Sequence, residues 1–228
     1  MHKLITPYNY AKLKREDGKQ RFYVTPTGDR LPSVTTILDK TSDKTHLFEW
    51  QRRIGKDKAA EITKNAASRG TVMHKSLEKY ILLQDRTPGS NLVQQMAYKM
   101  ANVVIKEGLE DKLEAVFGNE VNLYNPGLYS GTTDLVGVYE GEPAIIDFKQ
   151  ANKKKKPEWI TNYYMQTVAY ADAHNAVHGT KIRRGVILIC TGNLEFQRFI
   201  VEGDEYNKYL DLWWERVAQF YQESDSAA

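Results

Sequence analysis

The chain of 228 residues contains one cysteine, Cys190. A lone cysteine excludes any disulfide framework within the chain and any multi-cysteine zinc or iron–sulfur site. It stands in the apolar run Gly185-Val-Ile-Leu-Ile-Cys190, where it reads as a small packed hydrophobe. No stretch approaches the roughly 20 apolar residues of a membrane-spanning helix. Met1-His-Lys-Leu-Ile-Thr-Pro7 has neither the apolar core of a signal peptide nor the Arg/Ser-rich character of a transit peptide. These absences point to a protein of a reducing, cytoplasmic compartment with no membrane partner. No charge of one sign dominates either: the formal net charge is +3, which permits an anionic partner without requiring one, because local clusters matter more than the sum.

What the chain has is 41% hydrophobic residues and a change of period along its length. The length suits one domain with a helical elaboration. Residues 1–32 are polar and turn-rich, with a strand at 20–25 and a turn at 26–29. Ser33 is a candidate N-cap for a short helix over Val34–Leu38, although the β-branched run also suits a strand. Residues 43–84 read as two helices separated by Gly55, with Asp43 as a candidate cap for the first. Gly70 lies inside the second, where a glycine costs about 1 kcal/mol relative to alanine, so it marks a close approach or a helix start. A third helix spans 91–107. Residues 115–149 then read as three strands, with turns at Asn125–Gly127 and Glu140–Pro143. A helix over 159–177, strands at 183–191 and 194–201 and a last helix over 205–223 complete a mixed α/β pattern. One domain is expected, with residues 31–110 mainly helical and 111–225 forming an α/β core.

The chemistry is concentrated in the three-strand segment. Residues two apart on a strand share a face, so Asp147 and Lys149 project together while Ile146 and Phe148 project oppositely. The hairpin brings Asp134 beside them if its register is set by the Glu140–Pro143 turn. A solvated hairpin with a cross-strand salt bridge is the plain alternative. The consecutive Ile145 and Ile146 argue for a buried strand instead, where an ionised Asp needs a partner or a metal. Two carboxylates suit Mg²⁺, with Mn²⁺ as a substitute. Such an ion offsets charge on a scissile phosphate and activates water, while a lysine orients or deprotonates that water or stabilises developing charge.

Asp134, twelve intervening residues and then Asp147-Phe148-Lys149 resemble the core of the PD-(D/E)xK nucleases. The nearest likeness is to the RecB-like branch with its mitochondrial genome maintenance exonucleases and phage relatives. Further motifs carry the resemblance. Arg69-Gly-Thr-Val-Met-His74 is similar to the branch's R-G-x-x-x-H helix, which implies that His74 is a metal-site residue and places Arg69 at the DNA. Gln166-Thr-Val-Ala-Tyr170 resembles its Q-x-x-x-Y motif; the two residues share a helix face, with Gln166 beside the lysine in the catalytic set and Tyr170 supporting it or touching DNA. Leu31-Pro-Ser-Val-Thr-Thr-Ile-Leu38 resembles a segment near the start of the mitochondrial enzyme, making Ser33, Thr35 and Thr36 a candidate phosphate cradle at a helix N-terminus. Glu120 occupies the place of a metal-site glutamate.

Thr133 stands where the family name has proline, and no iron–sulfur cysteines or helicase motifs are present. The resemblance covers residues 31–175. It implies a restriction-endonuclease-like mixed central sheet flanked by helices, with an N-terminal helical elaboration. It also implies a Mg²⁺-dependent exonuclease acting from DNA ends, on single strands, in bacterial or phage recombination, repair or degradation. A single-strand-binding or recombination protein is an implied partner. The residues themselves leave open an endonuclease of the same fold and a non-catalytic DNA-binding protein. The run Lys153, Lys154, Lys155 and Lys156 is a candidate contact for the phosphate backbone. Trp159, Tyr163 and Tyr164 suit either base stacking or the core.

Overall fold

Residues 1–225 are described by a computed structural model. Its organising element is the hairpin that the sequence announces. Strands β6 (Tyr129–Tyr139) and β7 (Glu142–Ala151) pair antiparallel from Tyr139↔Glu142 to Leu135↔Ile146. Only Glu140 and Gly141 turn the chain, at φ 48° and 81°, the two left-handed residues of a tight hairpin turn. Glu142 and Pro143, expected in the turn, are already strand residues.

A six-stranded sheet grows around this hairpin. Its order is β1 (Lys3–Leu4), β5 (Leu113–Asn125), β6, β7, β8 (Gly185–Thr191) and β9 (Phe196–Val201). β7 and β8 run parallel, which requires a crossover; helix α5 (Thr161–His178) provides it. β1 is parallel to β5 and the remaining pairs are antiparallel, so the sheet is mixed.

Both faces of the sheet are covered, which explains the consecutive apolar residues Ala144-Ile145-Ile146 in β7 and Val186-Ile-Leu-Ile-Cys190 in β8. On one face Ile145, Ile187 and Ile189 pack with α1 (Val34–Thr41), α5 and α6 (Gly203–Asp225). On the other, Ile146, Phe148, Leu188 and Cys190 pack against α3 (Lys56–Ile81) and α4 (Leu92–Val104). α4 starts at a capping box in which Asn91 and Gln94 satisfy each other's backbone N–H groups. Gly70 is a close approach: a Cβ there would lie 3.3 Å from Gln150 Cγ, so α3 lies tight against the end of β7.

Three sequence expectations shift. Asp43 does not cap helix α2 (Thr45–Ile54); it accepts hydrogen bonds from the Thr45 N–H and hydroxyl one step earlier, and Lys44 holds the cap position. Leu212 is only half-buried in α6, while Tyr206 joins Tyr209, Trp213, Val217 and Phe220 inside. The turn-rich start is more ordered than its composition suggests. Beyond β1 it forms a second sheet of β2 (Lys14–Glu16), β3 (Phe22–Val24) and β4 (Arg30–Pro32).

Tyr10, also in this segment, lies against α5. Its hydroxyl is 3.1 Å from His174 Nε2, while His174 Nδ1 is 2.7 Å from Thr180 Oγ1. Burial pushes the His174 pKa down to about 4, and neighbouring His178 adds to the effect. Between an ordinary 6.5 and that value, the unfolded chain takes up a proton that the folded chain refuses. The stability is therefore present above the unfolded pKa and lost as pH falls toward the folded one. Denaturant titrations at pH 7 and pH 4.5 are expected to show this loss, and His174→Gln is expected to flatten it.

Candidate active site

The acidic residues form a row across three adjacent strands. The pairs Asn119↔Leu135 and Val121↔Thr133 flank Glu120 and Asp134, placing them opposite each other on β5 and β6. On the other side the β6–β7 ladder stops at Leu135↔Ile146, one step before Asp134 and Asp147. There the Asp134 carboxylate replaces the ladder: its Oδ2 accepts the Phe148 N–H at 2.7 Å. Where the strands part, helices from both sheet faces reach the row. α3 brings His74, whose Nδ1 is 3.4 Å from Asp134 Oδ1. From α5, Gln166 accepts a hydrogen bond from Lys149 Nζ at 3.1 Å.

Like charges directly opposite each other on a sheet are destabilising, so three carboxylates in a row need cations. Lys149 is one: its Nζ lies 2.5 Å from Asp147 Oδ2. That contact is a charge pair outside hydrogen-bond angles, and the buried Asp147 oxygen has no hydrogen bond. His74 is the second. The balance of burial and charge differs at each group. Burial pushes Asp147 up to about 6 against the pull of Lys149, with Asp134 adding to the rise. Burial would raise Asp134 too, but His74, Lys149 and the Phe148 N–H together hold it below the usual carboxylate range. Burial works against the charged forms of His74 and Lys149, yet the carboxylates outweigh it. Asp134 lifts His74 to about 9, and Asp147 and Asp134 raise Lys149. Glu120 stands at the solvent rim, where the crowding cleft walls first and then Asp134 push it up to about 7.

The donor set fits a divalent ion. Ligand atoms of His74, Glu120 and Asp134 all lie within 4.8 Å of one another. Two carboxylates suit Mg²⁺ or Mn²⁺, and the imidazole tilts the set toward a transition ion. Glu120 has φ 50°. A non-glycine residue in that region costs about 1–3 kcal/mol, and here the turn lies on the strand that supplies the rim carboxylate.

The cleft has a volume of about 740 Å³, and its lining includes His74, Glu120, Asp134, Asp147, Lys149, Gln166 and Tyr170. Tyr170 is buried, one turn along α5 from Gln166. Ser33 and Thr35 line the cleft as well, but the Ser33 oxygen is committed to capping α1 at Thr36 N. Thr36 faces a neighbouring hollow and is committed to the Arg21 backbone.

Other expected DNA contacts stand elsewhere. Arg69 does not line the cleft; it binds Gln150 and Asn152 and ties α3 to the end of β7. None of the lysines at 153–156 lines the cleft either. Lys154 pairs with Glu195 and Lys156 with Glu158. The Lys155 backbone is held at both its N–H and carbonyl by Gln197 on β9, and Lys153 is exposed. Of the nearby aromatics, Tyr164 is core, Trp159 is exposed, and the Tyr163 ring lies under Lys149 Nζ at 5.1 Å. Sequence reasoning missed Arg15, Arg21 and Tyr23, which the small sheet places in the cleft wall, and Lys75 and Glu78 one turn along α3 from Thr71 and His74. The spacing of Glu78 from His74 was a readable signal; nothing local marked the others.

No family model matches the chain. It is 28% identical over 206 residues to mitochondrial genome maintenance exonuclease 1 of Mus musculus. It is 25% identical over 208 residues to the Homo sapiens protein of the same name. Each comparison takes in 83% of this chain, but 59% and 58% of the relative. The chain thus spans about three-fifths of the length of the curated relatives it matches. Among the described residues, no helix is long and apolar enough to cross a membrane.

Proposed function

We propose that the chain is a divalent-metal-dependent deoxyribonuclease of the PD-(D/E)xK fold, RecB-like branch, working as an exonuclease. The observation that carries this reading is the row Glu120, Asp134 and Asp147 across β5, β6 and β7, with Lys149 two residues beyond Asp147 and His74 facing it. The names of the two relatives support the exonuclease reading. In this reading His74, Glu120 and Asp134 would hold the ion, with Asp147, which pairs with Lys149, as a further candidate ligand. A bound Mg²⁺ or Mn²⁺ supplies charge to offset the scissile phosphate and makes water acidic enough to serve as nucleophile. Lys149, held protonated by its carboxylate neighbours, stabilises negative charge developing on the phosphate. Gln166 is a positioning residue that fixes the ammonium, and the buried Tyr170 stands one turn behind it on α5. Thr35 meets the phosphate backbone together with Arg15 and Arg21, whose charges Asp17 partly offsets, and the lysines at 153–156 take no part in the cleft itself.

End-dependent action on single strands, in a bacterial or phage-infected cytoplasm during recombination, repair or DNA degradation, completes the proposal. End-labelled linear DNA incubated with Mg²⁺ or Mn²⁺ is expected to shorten, and chelator is expected to stop it. Closed circular DNA of the same sequence is expected to survive; its cutting would establish an endonuclease. Binding without cleavage under every metal condition would establish a non-catalytic DNA-binding protein.

A further inference from the structure

Helix α3 presents two adjacent stripes. Gly70, His74 and Glu78 face the catalytic cleft. Thr71, Lys75 and Lys79, each one position on, begin the wall of a second hollow of about 400 Å³, which α4 closes with Gln94 and Tyr98. Thr71 and Lys75 line both spaces, so the hollow opens from the catalytic cleft across the helix.

The second hollow is built from cations. Lys75 and Lys79 are four apart on one helix face, an arrangement in which like charges repel. Arg86 joins them and is held in place: its Nε and Nη2 donate to the Ser76 hydroxyl, Nε also donates to the Ser76 carbonyl, and Nη2 to Asn102 Oδ1. Its Nη1 has no hydrogen bond among the described residues. None of the three cations has a carboxylate within ion-pair distance among the described residues, whereas Lys44, Lys154, Arg184 and Arg198 each have one. A fixed guanidinium with a free donor edge and two ammonium groups lining the same hollow match the chemistry of a phosphate.

We propose that this hollow binds a backbone phosphate of the nucleic-acid strand whose scissile bond lies in the catalytic cleft. The inference rests on the nuclease reading and adds to it a subsite on the α4 side of α3. A strand leaving the metal-site row would cross α3 at Thr71 and Lys75 and set its next phosphates against Lys79 and Arg86.

The test measures binding without catalysis. A fluorescent (dT)12 oligonucleotide is titrated with the full chain in EDTA by anisotropy, over a series of salt concentrations. Each phosphate contact removed lowers the salt slope by about 0.7 for a single strand. The double variant Lys75→Gln/Lys79→Gln is therefore expected to lower it by about 1.4 and to weaken binding at least about fivefold at 0.1 M salt. Lys75→Arg/Lys79→Arg is expected to restore both, and thermal melting of each variant checks the fold. The control Lys181→Gln/Lys208→Gln removes the same charge away from the hollow and is expected to leave the slope in place. An unchanged slope in Lys75→Gln/Lys79→Gln, or an equal fall in the control, overturns the subsite and leaves the nuclease reading standing. Failure of the unaltered chain to bind the oligonucleotide at any salt overturns both.

Discussion

Lys149→Ala is expected to lose DNA cleavage by on the order of 10³-fold, the scale of removing a charge-stabilising donor from a transition state, while the chain still folds and binds DNA. Folding is the less obvious half. Removing one partner of a buried ion pair costs about 3–5 kcal/mol when the other charge is stranded. Here the stranded group is Asp147, whose pKa already stands at about 6 with the ammonium beside it. Without Lys149 it rises further, and a proton replaces the lost cation at neutral pH. The variant therefore escapes most of the penalty, and its melting temperature is expected to fall by only a few degrees. Cleavage has no such escape, because a proton on Asp147 cannot supply positive charge to the phosphate. Lys149→Arg is expected to fare little better: a planar guanidinium cannot occupy the place of a compact ammonium held between Asp147, Gln166 and the Tyr163 ring. End-labelled DNA cleavage, run beside thermal melting, reads both halves. Normal turnover in a folded Lys149→Ala protein would remove this lysine from the chemistry and leave it a structural counter-ion.

The sequence told most about β7 because strand geometry is local. Alternation alone puts Asp147 and Lys149 on the same side, and the two-residue turn at Glu140-Gly141 sets the register that brings Asp134 level with them. The helical positions of His74, Gln166 and Tyr170 were readable through motif resemblance, and all three line the cleft. What escaped was set by distant partners. The strand at 20–25 was readable, but its partners in the small sheet have three residues each, too few to show a period, so the cleft wall made by Arg15, Arg21 and Tyr23 could not be anticipated. Arg69 and the lysines at 153–156 were legible as charge but not as contacts. The partners that occupy Arg69, Gln150 and Asn152, lie about eighty positions away, and the Gln197 that pins Lys155 lies on the last strand. A charge cluster in a sequence says where an anion is welcome; only the fold says whether another residue has already taken the place.

Asp134→Asn is expected to abolish metal-linked stability as well as cleavage. Asp134 is the centre of the acidic row, facing Glu120 on one side and Asp147 on the other, and it belongs to the trio of ligand atoms that converge with His74. An asparagine keeps the shape and still offers an oxygen to the Phe148 N–H, so the backbone connection at the end of the β6–β7 ladder survives. It also removes repulsion from both neighbouring carboxylates while giving up the attraction of His74. These opposing changes leave the metal-free variant within a few degrees of the unaltered chain. The ion responds differently, because its affinity depends on the charge that has gone. At a Mn²⁺ concentration about 100 times the dissociation constant, binding to the folded state stabilises it by about 2.7 kcal/mol, or roughly 5–10 °C for a chain of this size. That rise is expected in the unaltered chain and not in Asp134→Asn, with thermal melting at matched Mn²⁺ concentrations as the measurement. Glu120→Gln, at the solvent rim, is expected to lose only part of it. An equal rise in Asp134→Asn would place the ion elsewhere, and the acidic row would then need another explanation for carrying three carboxylates against two cations. Loss of the rise together with loss of cleavage would tie the ion, the row and the chemistry to one position on β6.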